Sequence, residues 1–198
     1  MKTLNYTIFS NNKTDKANFC FKIYNKLIKY EKNPVLLGVT FDKFLNFNDQ
    51  VVKIREKCMD RLNLIKVLSH KSWKLTVKTL VTLYKSLIGS IIDYSSFLIH
   101  QISKSNLKKI QAIQNKAIRV IFKRSCFLHD STEFLSSLSN MSTVYERSHT
   151  LNSRFISRAI PCNIWISQMV YDFLRSYNKF KGNSTPLHFY VNCKGNLL

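Results

Sequence analysis

The chain has 198 residues, a mass of 23.2 kDa, 45% hydrophobic and 13% aromatic residues, which suits one core-forming domain with at most a small appendage and excludes a disordered polyelectrolyte. Thirty-one Lys+Arg against eleven Asp+Glu leave a net charge of +20 and a pI near 9.9, so a polyanion is the expected partner: nucleic acid first, an anionic membrane surface second. No apolar run approaches the ~20 residues of a membrane span, and the N-terminal MKTLNYTIFSNN lacks the apolar centre of a signal peptide.

The first third reads as strands. LNYTIF (4–9) and FCFKI (19–23) are short, aromatic and β-branched, and the turn-rich NNKTDKAN between them predicts a hairpin. Lys26, Lys29 and Lys32 fall in a loop before VLLGVTFD (35–42), an apolar strand whose interior Gly38 marks a bulge or a close backbone approach. From Asn48, a candidate N-cap, the period becomes helical, with Val51, Ile54, Cys58, Leu62 and Ile65 on one face. A second helix is predicted after the N-cap Thr76. Leu75 and Leu80 would staple its start, Val77, Leu80, Tyr84, Leu87 and Ile91 would form its stripe, and Gly89 would loosen its end.

The third helix, Ser105 to about Arg124, is the most regular. Leu107, Ile110, Ile113, Ala117, Ile118 and Ile121 face one way; Lys108, Lys116, Arg119 and Lys123 face the other, with Lys104 and Lys109 at the edges. No acidic residue occurs between Asp93 and Asp130, whereas a face kept only for solubility normally mixes both signs. Asp130 with Glu133, and Thr143 with Glu146, are spaced as capping boxes. The next helix would carry Val144, Leu151, Phe155 and Ala159 on one side and end at Pro161; Asn163–Arg175, with Trp165, Met169, Val170 and Phe173, would form a last one before an aperiodic tail. The expected fold is therefore α+β, mostly α: a short N-terminal β segment (1–46), a basic helical bundle (47–160) and a C-terminal helix with a loose tail (161–198).

Catalytic chemistry is hard to assemble from this chain. Metal-assisted phosphoryl transfer needs paired carboxylates, yet no Asp-Asp or Asp-x-Asp occurs, and the four glycines are too isolated for a phosphate loop. Five cysteines without a C-x-x-C pair argue against a disulfide framework or zinc ribbon and for reduced, mostly buried thiols in an intracellular protein, nuclear or cytoplasmic. Cys126-x-x-His129 wants a second ligand pair, and nothing places Cys126 beside His149 as a hydrolase would require.

Three ordered blocks carry a more specific message: LLGVTFDKFLNF (36–47), RLNLIKVLSHKSWKLTVKTLVTLYKSLIGSIIDYSS (61–96) and NLKKIQAIQNKAIRVIF (106–122). Together they resemble the C-terminal part, end of palm plus thumb, of reverse transcriptases of non-LTR (LINE-type, jockey-like) retrotransposons. The family pattern has tyrosine where Leu36 stands and glycine where Lys74 and Ser95 stand. The resemblance implies that the family's catalytic acids, including an aromatic-x-Asp-Asp turn, belong ahead of residue 4. No catalytic or metal-binding residue, and no cofactor, is then expected in this chain, although the full-length family uses Mg2+. It further implies a thumb that grips template–primer through phosphates, by Lys71, Lys74, Lys78, Lys85, Lys108, Lys116, Arg119, Lys123 and Arg124. Leu37, Gly38, Val39 and Asp42 resemble the segment that steadies the primer strand. The implied partners are RNA, DNA or an RNA–DNA duplex, and a separate polymerase core or a second copy on an exposed apolar face, without a membrane. A stand-alone basic nucleic-acid-binding or protein-interaction module is the alternative.

Overall fold

The computed structural model describes residues 4–9, 20–124 and 130–176, which fall in two compact units, residues 1–53 and 54–198. The architecture is α+β and mostly α, and among the described residues the short strands lie in the first unit.

Among the described residues, the first unit holds six two-residue strands. β1 (Asn5–Tyr6) pairs in parallel with β4 (Lys29–Tyr30), β2 (Lys22–Ile23) pairs antiparallel with β3 (Lys26–Leu27), and β5 (Val35–Leu36) pairs antiparallel with β6 (Val39–Thr40). The expected hairpin between 4–9 and 19–23 is therefore replaced by local ones, and Lys26 and Lys29 stand on strands rather than in a loop. Each hairpin has a two-residue turn with both φ angles positive: Tyr24 (47°) with Asn25 (60°), and Leu37 (49°) with Gly38 (77°). Such turns follow the right-handed twist of the paired strands. Gly38 thus makes a turn between two strands, not a bulge inside one. A side chain there would meet nothing within 4 Å, so the glycine serves backbone conformation rather than clearance.

Asp42 organises the exit from the second hairpin. Its carboxylate accepts from the amides of Asn46 (3.1 Å) and Phe47 (2.6 Å), just before α1 (Asn48–Leu68). The helix begins one residue earlier than an Asn48 cap implies. Its first turns hold the hairpin: Gln50 Oε1 accepts from the Thr40 amide (3.0 Å), and Lys53 Nζ donates to Thr40 Oγ1 (2.7 Å). Val39, Phe47 and Val51 are buried.

The second unit is a helical bundle. The anticipated stripe of α1, through Ile54, Cys58, Leu62 and Ile65, is buried throughout. After a 3-10 turn (Lys71–Trp73), Lys74 has φ +49°, a left-handed conformation that glycine adopts without the cost a side chain carries. Ser95, the other departure from glycine, has an ordinary φ of −93° and is buried. Thr76 caps α2 (Val77–Tyr84) by accepting from the Thr79 amide, while Val77 is exposed.

Beyond Tyr84 the sequence period misleads. Residues Lys85–Gly89 form a π turn, followed by α3 (Ser90–Tyr94) and α4 (Ser96–Ile99). A π turn takes one more residue than an α turn, so the inward positions advance by one. The buried stripe is Leu80, Tyr84, Ile88 and Ile92, in place of the expected Leu87 and Ile91. Gly89 closes this turn rather than a helix end.

α5 (Lys104–Ile121) starts at the N-cap Ser103 and buries Ile110, Ile113, Ala117, Ile118 and Ile121 as anticipated; Leu107 is only half-buried. Lys123 lies past its end with φ +52°, off the helical stripe assigned to it. Ser131, not Asp130, caps α6 (Thr132–Ser139). Thr143 and Glu146 form both arms of the expected capping box on α7 (Val144–Cys162), which ends just past Pro161; α8 (Ile164–Ser176) follows.

Apart from Val144, the buried face of α7 is not the apolar one read from sequence. Val144, Ser148, Asn152 and Ile156 are buried, and Phe155 is 68% exposed. The two polar residues have partners. Asn152 Nδ2 donates to the Ser96 carbonyl (3.1 Å), its Oδ1 accepts from Ser96 Oγ (3.3 Å), and Ser148 Oγ lies 3.2 Å from His100 Nε2. Of the cysteines described, Cys58 is buried but Cys20 and Cys162 are exposed, so thiols are less buried than expected. Cys126, His129 and the 177–198 tail lie outside the described residues.

Two outcomes follow for stability. Deleting Ser86 converts the π turn to an α turn with Leu80, Tyr84, Ile88 and Ile92 still inward, so the variant should unfold cooperatively near the parent temperature. Deleting Gln111 from regular α5 shifts every later core residue by about 100° and should abolish cooperative unfolding. Secondly, burial, reinforced by His149, lowers the His100 pKa from 6.5 to about 4. The unfolded chain takes up this proton first, so stability present above pH 6.5 is lost toward pH 4, by at most about 1.4 kcal/mol per pH unit. His100→Gln should flatten the urea-midpoint profile across this window.

Candidate nucleic-acid interface

The cationic surface of the bundle is built by helices that bury one side completely. α2 packs against α5, and Tyr84 Oη donates to Gln114 Oε1 across the contact (3.4 Å). Gln114 Nε2 donates to the Ser142 carbonyl (2.8 Å), and Gln111 Oε1 accepts from the Val144 amide (2.9 Å). With those sides occupied, Lys78, Lys85, Lys108 and Lys116 are exposed, as are Lys71 and Lys74 around the 3-10 turn. On α5 the exposed Ala112 separates Lys108 from Lys116, leaving low relief between them.

Two arginines behave differently from these lysines. Arg119 Nη2 donates to the Asp130 carbonyl (3.1 Å), and its Nε is buried without a hydrogen-bond partner. Arg124 forms an ion pair with Asp130 (3.2 Å) and lies 5.4 Å from the Phe134 ring centroid. Both are half-buried and hold the entry of α6. The structure thus brings Lys108 and Lys116 onto one exposed helix side and draws Arg119 and Arg124 toward Asp130.

The segment 37–42 belongs to the first unit. Leu37 is 81% exposed at the turn with Gly38, Val39 is buried, and the Asp42 carboxylate is engaged by backbone amides. Sequence reasoning gave no sign of this use for Asp42, although an acid a few residues before a helix is a recurrent amide acceptor.

A few other ionisable groups are tied into the scaffold. Burial pushes the Cys58 thiol up to about 11 against the opposing pull of Arg61, which disfavours the nucleophilic thiolate. Burial likewise raises the Tyr84 phenol, with Cys58 and Asp93 adding to the effect. Asp93 receives Arg147 through both oxygens (Nε 3.2 Å, Nη2 2.8 Å), a forked pair that links α3 to α7 and holds the guanidinium in its charged form. Among the described residues no three His, Cys, Asp or Glu side chains are grouped to hold a metal ion, and no helix is long and apolar enough to cross a membrane.

On this geometry Asp130→Ala should destabilise the chain by about 1–3 kcal/mol in urea, because it leaves the Arg124 guanidinium half-buried beside an empty site. Lys116→Ala should change stability by less than about 0.5 kcal/mol.

No family model and no solved structure matches the chain. Two curated proteins of Drosophila melanogaster are similar to it. One is described as a probable RNA-directed DNA polymerase from transposon X-element, 27% identical over 157 residues that cover 74% of this chain and 17% of the relative. The other is described as a probable RNA-directed DNA polymerase from transposon BS, 27% identical over 122 residues that cover 62% of this chain and 13% of the relative. The chain therefore spans less than a fifth of the length of either relative. These likenesses agree with the one carried by the three sequence blocks: the chain resembles a fragment of a transposon reverse transcriptase.

Proposed function

We propose that this chain is the end-of-palm and thumb part of such a polymerase, and that its helical unit grips a template–primer duplex through phosphates. The observation that carries this reading is the lysine-bearing exposed sides of α2 and α5, the first in a stretch without any acid between Asp60 and Asp93 and the second in one without any acid between Asp93 and Asp130. Lysine is a point-charge donor to phosphate and reads no base edges, so the grip is independent of sequence. Lys71, Lys74, Lys78, Lys85, Lys108 and Lys116 would carry it. Arg119 and Arg124, committed to Asp130, would position α6 instead. The exposed Leu37–Gly38 turn would lie along the primer strand, its shape held by Asp42.

In this reading the chain supplies grip and not chemistry. It has no paired carboxylates in sequence, so nucleotidyl transfer and the Mg2+ it requires would belong to a separate catalytic segment. The apolar side chains of α8 support such an arrangement: Ile164, Trp165 and Met169 are 80%, 77% and 62% exposed. Apolar surface of this kind is normally covered, here by the rest of a longer polymerase or by a second copy.

The purified chain should extend no primer with Mg2+ or Mn2+. Its affinity for a short RNA–DNA duplex should fall with salt, and Lys108→Gln with Lys116→Gln should flatten the slope of log K against log salt by about two units. Lys57→Gln with Lys66→Gln, on α1, should change it by less than half as much. Equal slopes for the two double variants would sink the assignment of α5 to the grip.

A further inference from the structure

The first unit carries a second cationic surface, built on one short hairpin. Segment 20–32, CFKIYNKLIKYEK, alternates lysines with aromatic and aliphatic residues. It folds as the β2–β3 hairpin, held by the Lys22↔Leu27 and Ile23↔Lys26 pairs and closed by the Ile28 amide donating to the Phe21 carbonyl (2.9 Å). Its base is aromatic: Tyr6 lies 4.9 Å from Phe21 and 5.5 Å from Tyr30, ring centroid to ring centroid.

The tip is unusual for a structural turn. Tyr24 has φ +47° and is 97% exposed. A bulky side chain in left-handed backbone costs free energy that glycine would avoid, and here the ring regains almost nothing by burial. Lys22 and Lys26 flank it in sequence, with Lys29 and Lys32 beyond, all exposed. The nearby acid, Glu31, accepts from Asn5 Nδ2 (2.9 Å). Beside the hairpin lies a mostly apolar cavity of about 320 Å³, lined by Tyr6, Phe21, Lys22, Ile23 and Ile28 among others. That is the low end of ligand-pocket size, suited to one planar group rather than an extended molecule.

We infer that the β2–β3 hairpin is a binding platform for an unpaired nucleic-acid strand, with a base stacked on Tyr24, a second base in the adjoining cavity, and phosphates on Lys22, Lys26 and Lys29. Aromatic faces offered singly beside lysines are the elements of sequence-tolerant single-strand binding. A duplex keeps its bases stacked on each other and presents phosphates alone, so it would gain nothing from Tyr24. The inference rests on the nucleic-acid reading of the chain but assigns a different ligand to a different unit. A protein partner or an anionic membrane could also meet an aromatic, lysine-rich tip, and both are outcomes of the test.

The test uses the full chain with Tyr24→Gly, Tyr24→Trp and the double variant Lys22→Gln with Lys26→Gln. Glycine is suited to the positive φ, so Tyr24→Gly should retain or raise the unfolding temperature while removing the ring. Affinity is read by anisotropy of a labelled oligouridylate, an RNA–DNA duplex of equal length, and vesicles containing phosphatidylserine. Tyr24→Gly should weaken oligouridylate binding by roughly five-fold or more and leave the duplex unchanged. Tyr24→Trp should restore it, and the lysine pair should flatten its salt dependence by about two units. Unchanged oligouridylate affinity in Tyr24→Gly overturns the inference, whether the ring then serves a protein surface or nothing. Loss of vesicle binding without loss of oligouridylate binding overturns it in favour of a membrane. Duplex binding that fails while the single-strand effect of Tyr24 persists counts against the α5 grip alone.

Discussion

The bundle depends on α5 being used on all its sides for different purposes. Its apolar side, from Ile110 to Ile121, is wholly buried, and each such side chain removed from water contributes roughly 1.5–3 kcal/mol. Its glutamines border that side and convert backbone elsewhere into structure: Gln111 takes the amide that begins α7, while Gln114 takes the Ser142 carbonyl and the Tyr84 hydroxyl. Only then is the lysine side left to solvent. Because the buried side cannot rotate without exposing isoleucines, the exposed side cannot rotate either, and Lys108 and Lys116 are directed by packing rather than by their own contacts.

The π turn at Lys85–Gly89 is the second constraint. α2 and α3 must keep one side on the bundle over four successive inward positions, Leu80, Tyr84, Ile88 and Ile92. A regular helix would drift about 120° over those twelve residues, and the widened turn removes most of that drift. It leaves Lys85 exposed at the start of the turn and Asp93 placed to receive Arg147 from α7. A cavity of about 450 Å³ opens beside it, lined by Lys85, Gly89, Asp93, Gln114 and Arg147.

Positive charge is exposed in both units. In the bundle, lysines line the helix surfaces of α2 and α5, and Trp73 is exposed between Lys71 and Lys74 in sequence. In the first unit, lysines alternate with exposed rings and aliphatic chains along one hairpin. Three arginines instead serve the fold: Arg119 and Arg124, half-buried, turn to Asp130, and the more exposed Arg147 forks onto Asp93.

Much was legible in the sequence because local rules sufficed. The α1 and α5 stripes obey a 3.6-residue period, Thr76 and the Thr143–Glu146 box are side chains acting on their own helix, and the three family blocks lie in uninterrupted order. What remained hidden required partners distant in sequence. No local rule shows that Ser148 and Asn152 are inward, since a polar side chain is buried only when its hydrogen bonds are met, here by His100 and Ser96. Nor does composition show that Arg119 turns toward Asp130, that β1 pairs with β4 rather than with its neighbour, or that an extra residue in one turn moves the core from Leu87 to Ile88. The sequence by itself determined which segments are helical, that their exposed sides are basic and which family they resemble, because period and charge are local properties. The tertiary structure alone decided which cations stay in solvent, because that depends on which acids and carbonyls the folded chain brings within reach.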